Sequence, residues 1–389
     1  MIIIKMKNSF LIILIFVNLI NYISSDILKN INENKHTNIY NELISQLNII
    51  DEYKDFAFGA QLGANSPCED SYFIQNITLL NYEGIFLSVF DGHGGAQLSQ
   101  YANLLLYPYF LEAFNINKFE QDLNKRIILS LKQAYERIEL EFLKIAFNER
   151  LKNNFLFSKV GTCAITVIII NKKIFVANLG DSKARLFYVS NKYLKKKNES
   201  EMIKVKKISK VFNIRKRSEQ IAFKTKFPKD KDIIKCYNYK ACYVKGALQP
   251  TRTLGDYSLK YLYFNIKEMN DISLYEKYQE YFNGPYISSI PDIQIFNLKK
   301  NYKFLVMATD GLWDVVRSRE IANLINNKYD KTENITYELF NMAMIRYSIE
   351  NDMNGDYLNI LKTPNGKKRR NLHDDITIIT CDLRKYFSD

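Results

Sequence analysis

The chain has 389 residues, 47% of them apolar, enough to bury a substantial core in one large domain or two. Much of its net charge of +13 sits in residues 192–235 and 367–370, which read as solvated insertions, so no nucleic-acid partner is expected. The five cysteines, at 68, 163, 236, 242 and 381, are odd in number and lack metal-finger spacing. Cys236 and Cys242 are near enough to pair, but nothing demands a disulfide framework.

Lys5 and Lys7 precede an apolar stretch at 10–20, and Ser24-Ser25 follows it. Residues 1–25 therefore have the layout of a secretory signal peptide, with an uncleaved membrane anchor as the alternative. A mitochondrial transit peptide fits less well, because such peptides are Arg-rich and the first arginine here is Arg126. Residues 26–50 read as a linker ending in a short helix, and the folded domain is expected over 51–387. Strands are predicted at 56–62 and 71–77, as the first pair, and at 84–90. Leu98, Tyr101, Ala102, Leu105 and Tyr109 recur at helical spacing, and residues 119–145 continue as a longer helix. Strands at 160–170 and 173–179 meet at Asn171-Lys172, a tight hairpin, and 184–189 continues the meander. Residues 190–245 are rich in lysine and read as a partly disordered insertion. Beyond it come strands at 292–298 and 303–309, helices at 318–327 and 334–349, a polar loop with a basic cluster at 351–371, and a closing strand.

The acids sit at the ends of these strands. Strand 84–90 stops at Asp91, followed by Gly92, His93, Gly94 and Gly95; strand 303–309 stops at Asp310-Gly311; strand 173–179 stops at Gly180-Asp181. A single Asp-Gly of this kind is usually only a turn. Two further pairs, Glu69-Asp70 and Asp374-Asp375, come before their strands instead. Acids that follow some strands and precede others share one sheet edge only if those strands run antiparallel, which argues against a doubly wound parallel sheet. Oxygen ligands without a Cys or His cluster suit Mg²⁺ or Mn²⁺. On the residues alone, His93 is equally a turn histidine bonded to backbone and a general acid.

The segments Val89-Phe90-Asp91-Gly92-His93-Gly94-Gly95, Gly180-Asp181-Ser182-Lys183, Thr253-Leu254-Gly255-Asp256, Ala308-Thr309-Asp310-Gly311-Leu312-Trp313 and Asp374-Asp375-Ile376-Thr377 resemble, in order, the motifs of the metal-dependent protein serine/threonine phosphatases of type 2C. Residues 61–70 and Gly284-Pro285-Tyr286 are similar to the pyruvate dehydrogenase phosphatase branch. The resemblance implies an α+β, four-layer αββα sandwich of two antiparallel sheets packed face to face with helices outside. It implies two divalent ions, Mg²⁺ or Mn²⁺, and in some members a third, with a water or hydroxide between two of them attacking phosphoserine or phosphothreonine in line. Asp91 would bridge the ions, with the Gly92 carbonyl, Asp310 and Asp374 completing their shells, Glu69 and Asp70 acting through waters, and Asp181 serving the third ion. His93 would protonate the leaving oxygen. Family members usually have Asp-Asn where this chain has Asp374-Asp375, so Asp374 takes the ligand role.

The departure is Asn65. Most of the family has an arginine four residues before the Glu of the Glu-Asp pair, gripping the phosphate, and Asn offers only a neutral amide. The pyruvate dehydrogenase phosphatase branch is similar in having Asn there, so the change implies weaker phosphate binding, or reliance on the metals and another cation, for which Arg252 is a candidate unless it forms a structural salt bridge to Asp256. The implied partner is a phosphoprotein, acted on by a monomeric catalytic unit in the secretory pathway, and at a membrane only if the N-terminal segment is retained. The rival readings are an inactive phosphatase-like scaffold and a two-metal nuclease or phosphodiesterase.

Overall fold

The computed structural model describes residues 38–49, 56–190, 203–238, 241–265, 282–326 and 331–387. The leader expected at 1–25 lies outside them, as does most of the linker. The chain divides into two compact units, Met1–Gln46 and Leu47–Asp389, and the first contributes a helix at Asn38–Ser45. Among the described residues no helix is long and apolar enough to cross a membrane.

The second unit is built on strands. In chain order they are β1 (Asn48–Ile49), β2 (Ala57–Leu62), β3 (Ser71–Leu79), β4 (Tyr82–His93), β5 (Gly161–Ile170), β6 (Lys173–Leu179), β7 (Lys183–Val189) and β8 (Ile203–Lys207). Then come β9 (Ile234–Asn238), β10 (Ala241–Val244), β11 (Leu254–Gly255), β12 (Asp292–Asn297), β13 (Tyr302–Ala308) and β14 (Ile376–Asp382). One sheet runs β1-β2-β14-β13-β7-β8; the other runs β12-β6-β5-β4-β3, with β11 paired to β5. Neighbouring strands are antiparallel throughout both.

Strands β4 and β5 are buried on both faces, hence their near-continuous apolar sequence. Ile85, Leu87 and Val89 with Ile165, Val167 and Ile169 meet Leu186, Leu305, Met307 and Ile379 between the sheets. Their alternates, Phe86, Phe90, Ala164 and Ile168, pack with the helices Gln97–Ile116 and Leu123–Leu151. Tyr135 on the second helix reaches Thr166 at 2.9 Å, which in turn bonds Ser88 at 2.8 Å, so these three buried hydroxyls are paired. On the opposite side the helix Thr332–Glu350 covers the other sheet, with Thr336 bonded to Thr380 at 2.7 Å and the Tyr337 ring edge-on to Phe58. The result is the expected α+β arrangement of helices outside two face-to-face antiparallel sheets.

Four local expectations are corrected. Strands β2 and β3 are not a pair: β2 joins β14 and β3 joins β4, because the chain changes sheets across residues 63–70. Likewise β7 does not continue the β5–β6 meander but crosses to β13 at Gly180–Ser182. β4 does not stop at Asp91; it stays paired with β5 through Gly92↔Thr162 and His93↔Gly161. The end of the linker is already structured, since β1 pairs with β2.

The lysine-rich stretch also differs from a solvated insertion. Residues 191–202 lie outside the described set, but β8 completes a sheet edge, and Ile208, Phe212, Asn213 and Ile214 are buried. A helix at Arg217–Lys226 and the β9–β10 hairpin follow, and Cys236 and Cys242 are joined by a disulfide across that hairpin. The Asn171-Lys172 hairpin forms as expected: both residues have positive φ, the requirement of a two-residue turn that matches strand twist.

Candidate active site

The two sheet crossings explain why the acids meet. The first carries Glu69 and Asp70, the second carries Asp181, and both lie at the end of the sandwich where β4 and β13 deliver Asp91 and Asp310 and where β14 begins after Asp374 and Asp375. Asp375 fastens the first crossing. Its Oδ1 accepts from the backbone N–H of Ala64 (2.5 Å) and Asn65 (2.9 Å), and its Oδ2 accepts from the Glu69 N–H (2.8 Å) and the Asn65 side chain (2.9 Å). Asp70, buried, accepts from Thr377 at 2.8 Å. The backbone of β4 approaches this loop closely: a Cβ on Gly92 would stand 2.1 Å from the Glu69 carbonyl oxygen, so only glycine fits.

Asp91, Asp310 and Asp374 are half-buried and close enough to govern one another's charge. The Asp310 N–H faces Asp91 Oδ2 at 3.4 Å. Burial, then Asp310, Asp70, Asp181 and Asp374, push the Asp91 carboxyl well above the carboxylate range. Burial and then Asp374 and Asp181 do the same to Asp310. Asp374 is pushed up to about 6, by burial first, with Arg370 opposing and Asp375 adding. This many carboxylates, mutually repelling in a half-dry corner, form a donor set suited to hard divalent cations. Asp91, Asp181 and Cys163 offer atoms within 4.8 Å of one another. Cys163 donates its S–H to Asp181 at 3.2 Å, and burial, then Asp181 and Asp91, hold it as a thiol. It is a hydrogen-bond donor to an acid at the edge of the cluster. Asp181 also accepts from Asn213 at 2.6 Å. The residues that could hold two ions are thus Asp91, the Gly92 carbonyl, Asp310 and Asp374, with Glu69, Asp70 and Asp181 around them.

His93 stands beside these acids and is not a backbone-bonded turn residue: its Nε2 lies 2.9 and 3.0 Å from the two oxygens of Asp256. Burial disfavours its charge, but Asp256, with Asp181 and Glu69 adding, raises the pKa. Asp256 adopts a left-handed conformation (φ 51°) and accepts from Thr253 Oγ1 at 2.6 Å. Its loop is clamped by a buried ion pair. Glu139 accepts from Lys260 Nζ (2.6 Å) and from the Gly255 N–H (2.8 Å), while Lys260 also donates to the Thr253 carbonyl (2.8 Å). A Cβ at Gly161 would fall 2.1 Å from Asp256 Oδ2 and 2.4 Å from His93 Nε2, so the strand pairing that carries His93 past Asp91 depends on that glycine.

Asn65 and Arg252 do other work than the sequence suggested. Asn65 Nδ2 gives its hydrogens to Asp375 and, at 3.2 Å, to Glu69. Arg252 donates to the Ile290 carbonyl at 2.8 Å and lies over the Phe212 ring, while the Asp256 carboxylate is engaged by His93 and Thr253. Two residues were missed. Arg370, in the basic run read as solvated loop, forms part of a short helix, Lys367–Arg370, and pairs with Asp374 at 2.8 Å. Asp314 raises the pKa values of Asp310 and Asp374 and pairs with Arg215 at 3.2 Å. Its signal was present, since it lies four residues after Asp310 on the same helical turn.

An antiparallel sandwich with a carboxylate-crowded corner and a His–Asp pair at its edge belongs to the class of metal-assisted hydrolases. The profile of the family described as Protein phosphatase 2C matches residues 54–215 and 234–352, and the chain belongs to that family of metal-dependent phosphoprotein phosphatases. Asp374 and Asp375 lie beyond the matched residues. Probable protein phosphatase 2C 79 of Arabidopsis thaliana is 28% identical over 345 residues, covering 85% of this chain and 83% of the relative. Probable protein phosphatase 2C 28 of Oryza sativa subsp. japonica is 27% identical over 331 residues, covering 83% and 76%. Among solved structures, the serine-threonine phosphatase 2C of Toxoplasma gondii aligns with a TM-score of 0.56 at 14% identity, covering 86% of this chain and 98% of that one. A C. elegans sex determining protein aligns with a TM-score of 0.55 at 18% identity, covering 84% of this chain and 64% of that one. These two likenesses concern the fold.

Proposed function

We propose that this protein hydrolyses phosphoserine and phosphothreonine in proteins with the help of two Mg²⁺ or Mn²⁺ ions, a third being held near Asp181. The convergence of Asp91, Asp310 and Asp374 carries the reading. Asp91, the Gly92 carbonyl, Asp310 and Asp374 would hold the two cations, which when bound would acidify a water and neutralise the phosphoryl oxygens for an in-line displacement. The protein's own part is to hold those carboxylates rigidly, through the Asp375 staple and the buried Asp70–Thr377 bond. His93, whose pKa Asp256 helps to raise, gives its proton to the departing seryl or threonyl oxygen. The presence of every acid in the set speaks against an inactive scaffold.

Further parts of the reading rest on sequence. The likeness of residues 61–70 and 284–286 supports the pyruvate dehydrogenase phosphatase branch, and the working unit is a monomer. Residues 1–25 direct the chain into the secretory pathway, and the Cys236–Cys242 disulfide is chemistry that an oxidising compartment preserves. Imaging a C-terminally tagged full-length chain beside one lacking residues 1–25 tests this; identical cytosolic distributions would refute it.

The test of activity is release of phosphate from a phosphothreonine peptide with Mn²⁺ by wild type, Asp91→Asn and Asp310→Asn. Wild type should turn over, and each variant should lose about a hundredfold or more of kcat. Equal rates in all three would rule the reading out.

A further inference from the structure

The place where the family's phosphate-gripping arginine usually stands holds Asn65, whose amide hydrogens are taken up by Asp375 and Glu69. Arg252, the cation suggested by sequence, donates to the Ile290 carbonyl, lies over Phe212 and has Asp292 and Glu219 as its neighbouring acids, which are outside the cluster. Arg370 is differently placed. One of its terminal nitrogens lies 2.8 Å from Asp374 Oδ2, and its side chain remains 45% exposed. Its charge acts on Glu69 as well as on Asp374, opposing the rise that burial gives the pKa of each. It also forms part of the wall of a cleft of about 580 Å³ that Asp374, Tyr347 and Arg215 line with it.

The neighbouring residues hold Arg370 in that position. Arg369 is buried, donates from Nε to His373 at 2.9 Å and from a terminal nitrogen to Asn365 at 3.0 Å. His373 uses its other nitrogen on the Asp374 carbonyl at 2.6 Å. The short helix and the ligand strand are thereby tied together, with Arg370 facing the cleft from between them. A guanidinium has five N–H donors in a rigid fork, more than one carboxylate oxygen can use.

We propose that Arg370 is the phosphate-binding residue of this protein. It uses one nitrogen on Asp374 and offers the rest of its fork to the phosphoryl oxygens of a phosphoserine or phosphothreonine entering by the cleft. The proposal rests on reading the site as a phosphatase, and it moves the positive charge from the 63–69 loop to the turn preceding β14.

The test compares wild type, Arg370→Ala, Arg370→Lys and, as a charge control, Lys368→Ala. Three quantities are measured: KM and kcat on a phosphothreonine peptide at saturating Mn²⁺, binding of inorganic phosphate to the Mn²⁺-loaded protein by calorimetry, and Mn²⁺ affinity. Loss of a charge-assisted bond predicts that Arg370→Ala weakens phosphate binding and raises KM by about ten- to a hundredfold. Arg370→Lys should recover part of this, a point charge lacking the fork, and Lys368→Ala should match wild type. Should Arg370→Ala fail to fold, Arg370→Lys decides alone: unchanged phosphate affinity and KM overturn the proposal. A defect confined to Mn²⁺ affinity and cured by added Mn²⁺ also overturns it, because Arg370 would then only steady Asp374. If wild type binds phosphate but does not turn over, the phosphatase reading fails while the calorimetric comparison still decides Arg370. If wild type does not bind phosphate either, both fail.

Discussion

At the scale of single residues, the His93–Asp256 pair makes a prediction with a definite sign. The imidazole serves as an acid only while protonated, so activity falls as pH rises through its pKa. Asp256 helps to hold that pKa up against burial. Asp256→Asn removes the negative charge, lowers the pKa and moves the basic limb of the kcat profile to lower pH, with kcat at pH 7.5 reduced on the order of tenfold. His93→Ala should lose about a hundredfold, the usual worth of general acid catalysis, together with that limb. A basic limb unmoved in Asp256→Asn would show that another group donates the proton. Asp375 makes a second prediction, in stability. Its carboxylate accepts three backbone N–H groups and the Asn65 amide, so Asp375→Ala leaves several donors stranded and should cost roughly 3 kcal/mol in urea unfolding. Asp375→Asn should be milder in energy yet still harmful, because its NH₂ would face the Asn65 and Glu69 donors.

At the scale of elements, the helix Leu123–Leu151 does more than cover the sheet. Through Glu139 it grips Lys260 and Gly255 and so sets the Asp256 loop against His93. Both partners are buried, so removing one leaves an uncompensated charge. Lys260→Met should destabilise the protein by about 3–5 kcal/mol in chemical unfolding. In whatever fraction stays folded, the basic limb should shift in the same direction as in Asp256→Asn. A stable variant with a wild-type pH profile would sever the helix from the site. Sequence periodicity pointed to a helix at 119–145, but it runs Leu123–Leu151 with Phe119 exposed before it, and among Glu136, Glu139 and Glu141 nothing local marks the one that has a distant lysine.

At the scale of the whole molecule, antiparallel strands were legible because acids both follow and precede their strands, while the sandwich of two sheets with helices outside was implied by the resemblance to the type 2C phosphatases. What could not be read was which sheet each strand joins. Strands such as β5, buried on both faces, have no polar side to declare their partner, so chain adjacency suggested β2 with β3 and β6 with β7. The chain instead changes sheets at both places, and these crossings are what bring Glu69, Asp70 and Asp181 to the corner. The short hairpin at Asn171-Lys172 was readable because a two-residue turn is specified locally. Arg370 was hidden for the opposite reason: in Lys367-Lys368-Arg369-Arg370 nothing local separates the buried Arg369 or the Asp374-paired Arg370 from solvated neighbours.

The account depends above all on three acids from remote parts of the chain holding a pair of cations. Anomalous scattering from crystals grown with Mn²⁺ tests this most directly. The expected result is two Mn²⁺ peaks about 3.5–4 Å apart, with Asp91 between them and Asp310 and Asp374 as further ligands. Saturating Mn²⁺ with no peak at these three carboxylates would contradict it.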